Sequence, residues 1–353
     1  MDTSKYPCLG ALIGDTIGSV YEFDNIKTTD FQPLFDKRAE YTDDSIMTIA
    51  VADWLVNTGR TLTELEDRLV YWAKHFPCPM GGYGGGFRTW LFNPQRLHDF
   101  NGKMYEDGKR HPYNSFGNGS AMRASACGWA VYSLEDTLDL AKCSAIITHN
   151  HPEGIKGAQA TAAAIYLARQ GETKEAIRRY IEQTFGYDLQ HTCDDIRPYY
   201  DWDGSCQGTV PPALLAFFDS HDFEDAIRLA VSLGGDSDTL ACITGGIAQA
   251  YYKDIPDEII FEMQQRLPKE FWEVMEQLAN KQEMVSRKTF QLLVEGLRLL
   301  GMRKEPVMVV MSFLRTEERC RRMMDWIALH HQENPTEEDA IEMAERIAEH
   351  YPA

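Results

Sequence analysis

The 353-residue sequence predicts an all-α protein. Three observations carry that expectation. Helix-start signals recur along the chain: a Ser, Thr or Asp, an acidic residue about three positions later, then apolar residues at three- and four-residue spacing. An alanine-rich run, Gly157 to Arg169, has the small side chains of a helix buried against close neighbours. Strand signals are confined to Val307 to Met311, and one isolated strand cannot build a sheet.

In chain order, Gly10, Gly14 and Gly18 fall at four-residue intervals on one face of a helix that reads through to Glu22. A missing side chain there lets a second helix come close. Thr42-Asp43-Asp44-Ser45 opens the next helix, which carries Ile46, Met47, Ile49, Trp54 and Leu55. Thr61 and Glu64 are spaced for a capping box ahead of Leu65, Leu69, Trp72, Ala73 and Phe76. Ser133 to Ala145, Thr173 to Phe185 and Asp222 to Leu233 repeat this grammar. Gly81, Gly82, Gly84, Gly85 and Gly86 mark a loop, and Phe92 to Phe116 and Asp188 to Pro212 read as long connections, which are more often functional than idle. From about Lys281 the chain reads as an amphipathic helical tail, closing with a helix from Asn334-Pro335-Thr336-Glu337 to His350. The expected organisation is a main domain over 1–280 and a helical extension of unknown role over 281–353.

Lys plus Arg total 35 against 54 Asp plus Glu, a net charge of −19, which argues against general nucleic-acid binding because phosphate contacts need clustered cations. With 44% apolar and 25% charged residues the composition is that of an ordinary globular protein. The eight cysteines contain no C-x-x-C pair, which suits a reducing compartment and argues against structural zinc. The first residues lack the layout of a secretory signal, and no apolar run approaches the roughly 18 residues that cross a bilayer. A cytoplasmic protein without membrane contact is expected. Arg315, Arg319, Arg321 and Arg322 read as a solvated basic face of the tail. Oligomeric state is not legible.

The chemistry concentrates in acids at helix starts. Thr42-Asp43-Asp44-Ser45 and Gly234-Gly235-Asp236-Ser237-Asp238-Thr239 each lead into a helix. One acid suffices to cap a helix; doubled acids repel each other, and a cation removes the repulsion. Together the two motifs point to metal. Asp carboxylates and Thr hydroxyls are hard oxygen ligands, so magnesium, manganese or calcium is expected in preference to zinc or copper. Two carboxylate pairs suit two bridged ions that polarise substrate oxygens and position water. Asn114-Ser115-Phe116-Gly117-Asn118-Gly119-Ser120-Ala121-Met122-Arg123 and Gly82-Tyr83-Gly84-Gly85-Gly86-Phe87-Arg88 read either as plain turns or as anion loops at helix N-termini, and neither is a P-loop or a Rossmann fingerprint. His149 and His151 read as ligands, bases or a polar helix boundary.

In order along the chain, G-D-x-x-G-x-x-x-E at Gly14 to Glu22, T-D-D-S at Thr42 to Ser45, G-Y-G-G-G at Gly82 to Gly86, G-N-G-S-A-M-R at Gly117 to Arg123 and G-G-D-S-D-T at Gly234 to Thr239 resemble the ADP-ribosylglycohydrolase family. The resemblance covers roughly Leu9 to Tyr252. It implies a compact orthogonal helical bundle with a binuclear metal cleft, followed by the C-terminal extension. It implies two magnesium ions, with manganese as the alternative, on Thr42, Asp43, Asp44, Asp236, Asp238 and Thr239. Glu22 is then the mobile acid beside the scissile bond, with Asp43 and Asp44 as the other catalytic acids. Gly84, Gly85, Gly86, Ser115, Phe116, Gly117, Asn118, Gly119 and His149 are expected to cradle the diphosphate and ribose of ADP-ribose.

The implied reaction is release of ADP-ribose from a modified acceptor, an arginine side chain or a similar guanidino or hydroxyl linkage. A two-carboxylate glycosidase is the generic alternative, but it leaves Thr42, Thr239 and the doubled acids without a role. A silent ADP-ribose- or protein-binding module and a two-metal phosphoesterase are the other readings. Two departures stand out. Ser45 replaces a common Thr but keeps a hydroxyl. Gly81 precedes the glycine loop, so an Arg used there by relatives is missing and Arg88 is the nearest substitute, which leaves the acceptor open.

Overall fold

The structure, a computed structural model, describes residues 3–105, 107–131, 133–281, 287–314, 317–330 and 335–350. Its helices in chain order are α1 (Leu9–Gly18), α2 (Asp43–Asn57), α3 (Leu62–His75), α4 (Gly85–Phe92), α5 (Gly119–Met122), α6 (Ser125–Trp129), α7 (Leu134–Ile146), α8 (Pro152–Arg169), α9 (Lys174–Phe185), α10 (Cys193–Ile196), α11 (Cys206–Asp219), α12 (Phe223–Ser232), α13 (Ser237–Tyr252), α14 (Asp257–Arg266), α15 (Lys269–Lys281), α16 (Arg287–Leu299), α17 (Lys304–Phe313), α18 (Glu317–His330) and α19 (Glu337–His350). Among the described residues there is no strand, only isolated bridges such as Thr42 with Met80. The all-α expectation holds. No helix of the described residues is long and apolar enough to cross a membrane.

By its contacts the chain divides into two compact units, Met1–Trp129 with Thr137–Ala279, and Ala130–Asp136 with Asn280–Ala353. The first unit is organised around α1 and α13. Gly14 and Gly18 lie so close to the Ala241 and Ser237 carbonyls that a Cβ at either would collide with backbone. The Gly10 amide donates to Gln249 Oε1 at 2.7 Å, so the same glycine ridge is pinned at its other end. α8 supplies the alanine-rich face expected of it, with Ala158, Ala160, Ala162, Ala163 and Ala164 fully buried. Thr61 and Glu64 form the capping box of α3. α3 is tied to α2 by Asp53, buried on α2, which accepts from Trp72 Nε1 at 2.8 Å and Arg68 Nη1 at 3.3 Å.

Three local expectations need correction. Val307 to Met311 is not a strand: it lies inside α17, where Val307 and Val310 face a core of their own with Leu293, Leu297, Met323 and Ala344 in the second unit. The β-branched run was a packing signal, not a backbone one. The connection from Asp188 does not reach Pro212, because α11 starts at Cys206, with the Ser205 side chain accepting from the Gly208 amide, and contains Pro211 and Pro212. Pro212 has no N–H for the Gly208 carbonyl; Tyr200 Oη donates to that carbonyl instead, at 3.1 Å. α1 stops at Gly18, so Glu22 stands on the turn that follows and not on the helix.

The basic face of the tail is also different. Arg319 is buried and donates to the Phe313 and Ala348 carbonyls at 3.1 and 3.2 Å, tying the ends of α17 and α19 together. Arg315 and the side chain of Arg321 lie outside the described residues. The last helix begins as its cap dictates, Thr336 Oγ1 accepting from the Asp339 amide at 3.2 Å; Asn334 lies outside the described residues.

Candidate active site

Two helix starts aim carboxylates at one place. At α2, Thr42 Oγ1 accepts from the Asp44 amide at 3.2 Å. Thr42 is held in turn by Asp15 of α1, which accepts from the Thr42 amide at 2.9 Å, from Thr42 Oγ1 at 2.7 Å, from the Ser45 amide at 3.0 Å and from the Ser45 hydroxyl. Asp43 and Asp44 are left free to face inward. At α13, Asp236 occupies the N-cap position but makes no side-chain cap. It accepts instead from Asn118 Nδ2 at 2.7 Å, and the same amide reaches Thr209 Oγ1 at 3.0 Å. Glu22 is brought in by Asn25, whose Nδ2 donates to the Glu22 and Gly235 carbonyls, each at 3.0 Å, while its Oδ1 accepts from the Gly235 amide at 2.8 Å.

The result is an acidic floor. Glu22, Asp236 and Asp238 each offer a carboxylate oxygen within 4.8 Å of the others. Asp43, Asp44 and Thr239 line the same cavity, about 430 Å³ in volume. Asp44 Oδ2 is buried without a partner. Burial, then the Asp236 and Asp15 charges, push the Glu22 carboxyl up to about 7. Burial and the neighbouring acids hold Asp43, Asp44 and Asp238 well above the usual carboxylate range. Such a set is costly with nothing bound, because each ionised group is both desolvated and repelled. It fits hard divalent cations: it is made of oxygen donors, one of them orphaned and all of them crowded.

Above the floor the walls are mostly backbone and aromatic rings. Gly84, Gly85 and Gly86 form one side; Ser115, Gly117, Asn118, Gly119 and His149 form another; Phe100 and Trp202, each 57% exposed, stand at the mouth. Two residues expected in the site do not line it. Thr42 is fully buried with its hydroxyl engaged as above, and Phe116 packs between Phe100 and His151, ring centroids 5.3 and 5.4 Å away. Arg88 is exposed and off the wall. Sequence reasoning missed Asp15, Tyr83, Phe100, Tyr113, Met122, Arg123 and Trp202. Asp15, Tyr83, Met122 and Arg123 did lie inside the quoted motifs, whereas Phe100, Tyr113 and Trp202 carried no signal.

This geometry can be set against known proteins. The family model of ADP-ribosylglycohydrolase matches residues 8–291. The chain belongs to the ADP-ribosylglycohydrolase family. It is therefore placed among enzymes. ADP-ribosylhydrolase ARH3 of Bos taurus is 29% identical over an alignment covering 69% of this chain and 84% of that protein. ADP-ribosylarginine hydrolase Tri1 of Pseudomonas putida (strain GB-1) is 29% identical, with 71% of each chain covered. Among solved structures, a chain of an ADP-ribosylglycohydrolase-related protein complex superposes with a TM-score of 0.60 at 24% identity, covering 80% of this chain and 98% of that one. That likeness shows the ADP-ribosylglycohydrolase fold.

Proposed function

We propose that this member of the family hydrolyses the glycosidic bond between ADP-ribose and a modified acceptor, an ADP-ribosyl-arginine or a similar guanidino or hydroxyl linkage, and releases ADP-ribose. The observation that carries the reading is the convergence of Glu22, Asp236 and Asp238 beside the orphaned Asp44 Oδ2 at the base of a glycine-walled cavity. The named activities of the bovine and Pseudomonas relatives support it.

Two magnesium ions, or manganese in their place, held by Asp43, Asp44, Asp236, Asp238, Thr239 and the Thr42 oxygen, would supply Lewis-acid charge that fixes ribose hydroxyls and polarises water. Thr42 gives its hydroxyl proton to Asp15, so its oxygen is available only as an acceptor. Asn118 orients Asp236 through its amide. Glu22 stands on a turn, stapled by its backbone to Asn25; its carboxylate accepts a proton from the water that bonds to the ribose C1″ and passes it to the acceptor atom as the bond between that atom and C1″ breaks. Ser115, Gly117, Asn118, Gly119 and His149 hold the diphosphate and the adjoining ribose. Bare glycines at 84 to 86 leave room for the departing acceptor.

Incubation with arginine-, serine- and nucleobase-linked ADP-ribose in magnesium tests the reading, with free ADP-ribose as the readout. Wild type should release it from at least one substrate, and Asp44→Asn, Asp238→Asn and excess chelator should each abolish release while the fold persists. Full activity in both variants or in chelator contradicts the two-cation mechanism. Release of AMP in place of intact ADP-ribose would point to a phosphoesterase.

A further inference from the structure

Arg123 is a cation buried without a carboxylate partner among the described residues. Its Nη2 donates to the Ser144 carbonyl at 2.6 Å and to Thr148 Oγ1 at 2.7 Å, its guanidinium carbon lies 5.7 Å from the Phe87 ring centroid, and its Nε has no partner. Thr148 Oγ1 is also 2.7 Å from His149 Nδ1. The protons along this chain can be counted. Arginine only donates, so it occupies a lone pair of the Thr148 oxygen. The single hydroxyl proton of Thr148 can go to His149 Nδ1 at 2.7 Å or to the Ala145 carbonyl at 3.4 Å. That carbonyl already accepts from the Thr148 amide at 3.1 Å and the His149 amide at 2.8 Å. The proton therefore goes to Nδ1, and a neutral imidazole whose Nδ1 accepts must carry its own proton on Nε2.

Burial first, and then the Arg123 charge, hold the His149 imidazole well below its ordinary range, so it stays neutral. Nε2 faces the cavity wall at Gly117 and Gly119: a Cβ added there would lie 3.6 and 3.2 Å from it, and the glycines keep that edge open. Ser115 Oγ accepts from the Gly117 amide at 3.1 Å, so its own proton is free. Both residues line the same cavity as the acidic floor.

We propose that Arg123 and Thr148 act as a proton-ordering relay that locks His149 as an Nε2–H donor, which together with the Ser115 hydroxyl binds an anionic oxygen of the substrate. Arg123 and Thr148 are positioning residues; His149 makes the contact. The ligand half of the proposal rests on the functional reading above, with the diphosphate as the anion. The relay half does not, since it concerns the ligand-free protein.

Nitrogen-15 imidazole spectra of the ligand-free full chain, with the His149 signal assigned by its loss in His149→Gln, read the tautomer directly. The expected result is an Nε2-protonated neutral ring throughout about pH 5 to 8. An Nδ1-protonated ring, or an imidazolium in that range, overturns the relay. Thr148→Val should yield mixed tautomers and weaken ADP-ribose binding by calorimetry roughly tenfold, with KM rising more than kcat falls. A wild-type tautomer and Kd in that variant overturn the relay as well. His149→Ala should weaken ADP-ribose roughly tenfold, whereas His149→Gln, whose amide nitrogen reaches the Nε2 position, should stay within about threefold of wild type. Equal losses in the two variants overturn the donor role. Failure of wild type to bind ADP-ribose at all overturns the functional reading and the ligand half with it.

Discussion

The lining of one cavity buries charge in two opposite ways. On the floor, Glu22, Asp43, Asp44, Asp236 and Asp238 crowd like charges together and leave Asp44 Oδ2 with nothing to bind. At the wall, Arg123 is a single cation dispersed over a carbonyl, a hydroxyl and an aromatic face. The wall cation finds neutral partners for its Nη2 and its face and leaves only Nε bare, whereas the floor is relieved only by a ligand of opposite charge. Crowded like charges mark a binding site, and a single cation spread over neutral partners marks support for it.

Breaking each region should therefore have opposite effects on stability and activity. Asp44→Asn or Asp238→Asn should lower kcat by at least about a hundredfold, while in chelator the variant melts at the same temperature as wild type or higher, since a buried repulsion has been removed. Kinetics and calorimetry in chelator check this; a large fall in Tm without cations would mean that the acids are structural. Arg123→Met should instead lower stability. It strands the Ser144 carbonyl and the Thr148 hydroxyl and should cost roughly 2–4 kcal/mol in denaturant unfolding whether or not magnesium is present.

Asp15 tests the join between the two types, because it supports the floor without belonging to it. Asp15→Asn puts an amide where four donors converge from Thr42 and Ser45, and should weaken magnesium affinity by roughly 10- to 100-fold in titration calorimetry. A smaller effect concerns pH. In chelator, the folded Asp15 and Glu22 carboxyls lie at about 6 and about 7, above their ordinary 3.8 and 4.5. The native state then holds protons that the unfolded chain has released. Its stability is present in full below the ordinary values and is lost as pH rises through 6 to 7. Saturating magnesium should flatten that slope in Tm measured from pH 5 to 8. Arg88→Ala, exposed and off the wall, should change stability by less than about 0.5 kcal/mol and leave KM where it was.

These contrasts also explain what could be read from sequence. The helices were legible because their signals are local: a cap such as Thr61 with Glu64, an alanine run, a glycine every fourth residue. The doubled acids at Asp43-Asp44 and Asp236-Ser237-Asp238 were legible because capping needs only one. Asp15 stood in a motif, but its role was not legible, since the groups it holds, on Thr42 and Ser45 at the start of α2, lie 27 and 30 residues along the chain. Phe100 and Trp202 reach the mouth from irregular segments with no period to read. Pro211 and Pro212 misled because the hydroxyl of Tyr200, on the loop before the helix, takes the carbonyl that Pro212 leaves bare.

The central claim is that the floor is built for hard divalent cations, and electron paramagnetic resonance of manganese titrated into the chelator-stripped full chain tests it most directly. The account predicts saturable binding of two ions per chain, displaced by magnesium and lost in Asp238→Asn. A chain that binds no manganese, or binds it equally well in Asp238→Asn, contradicts it.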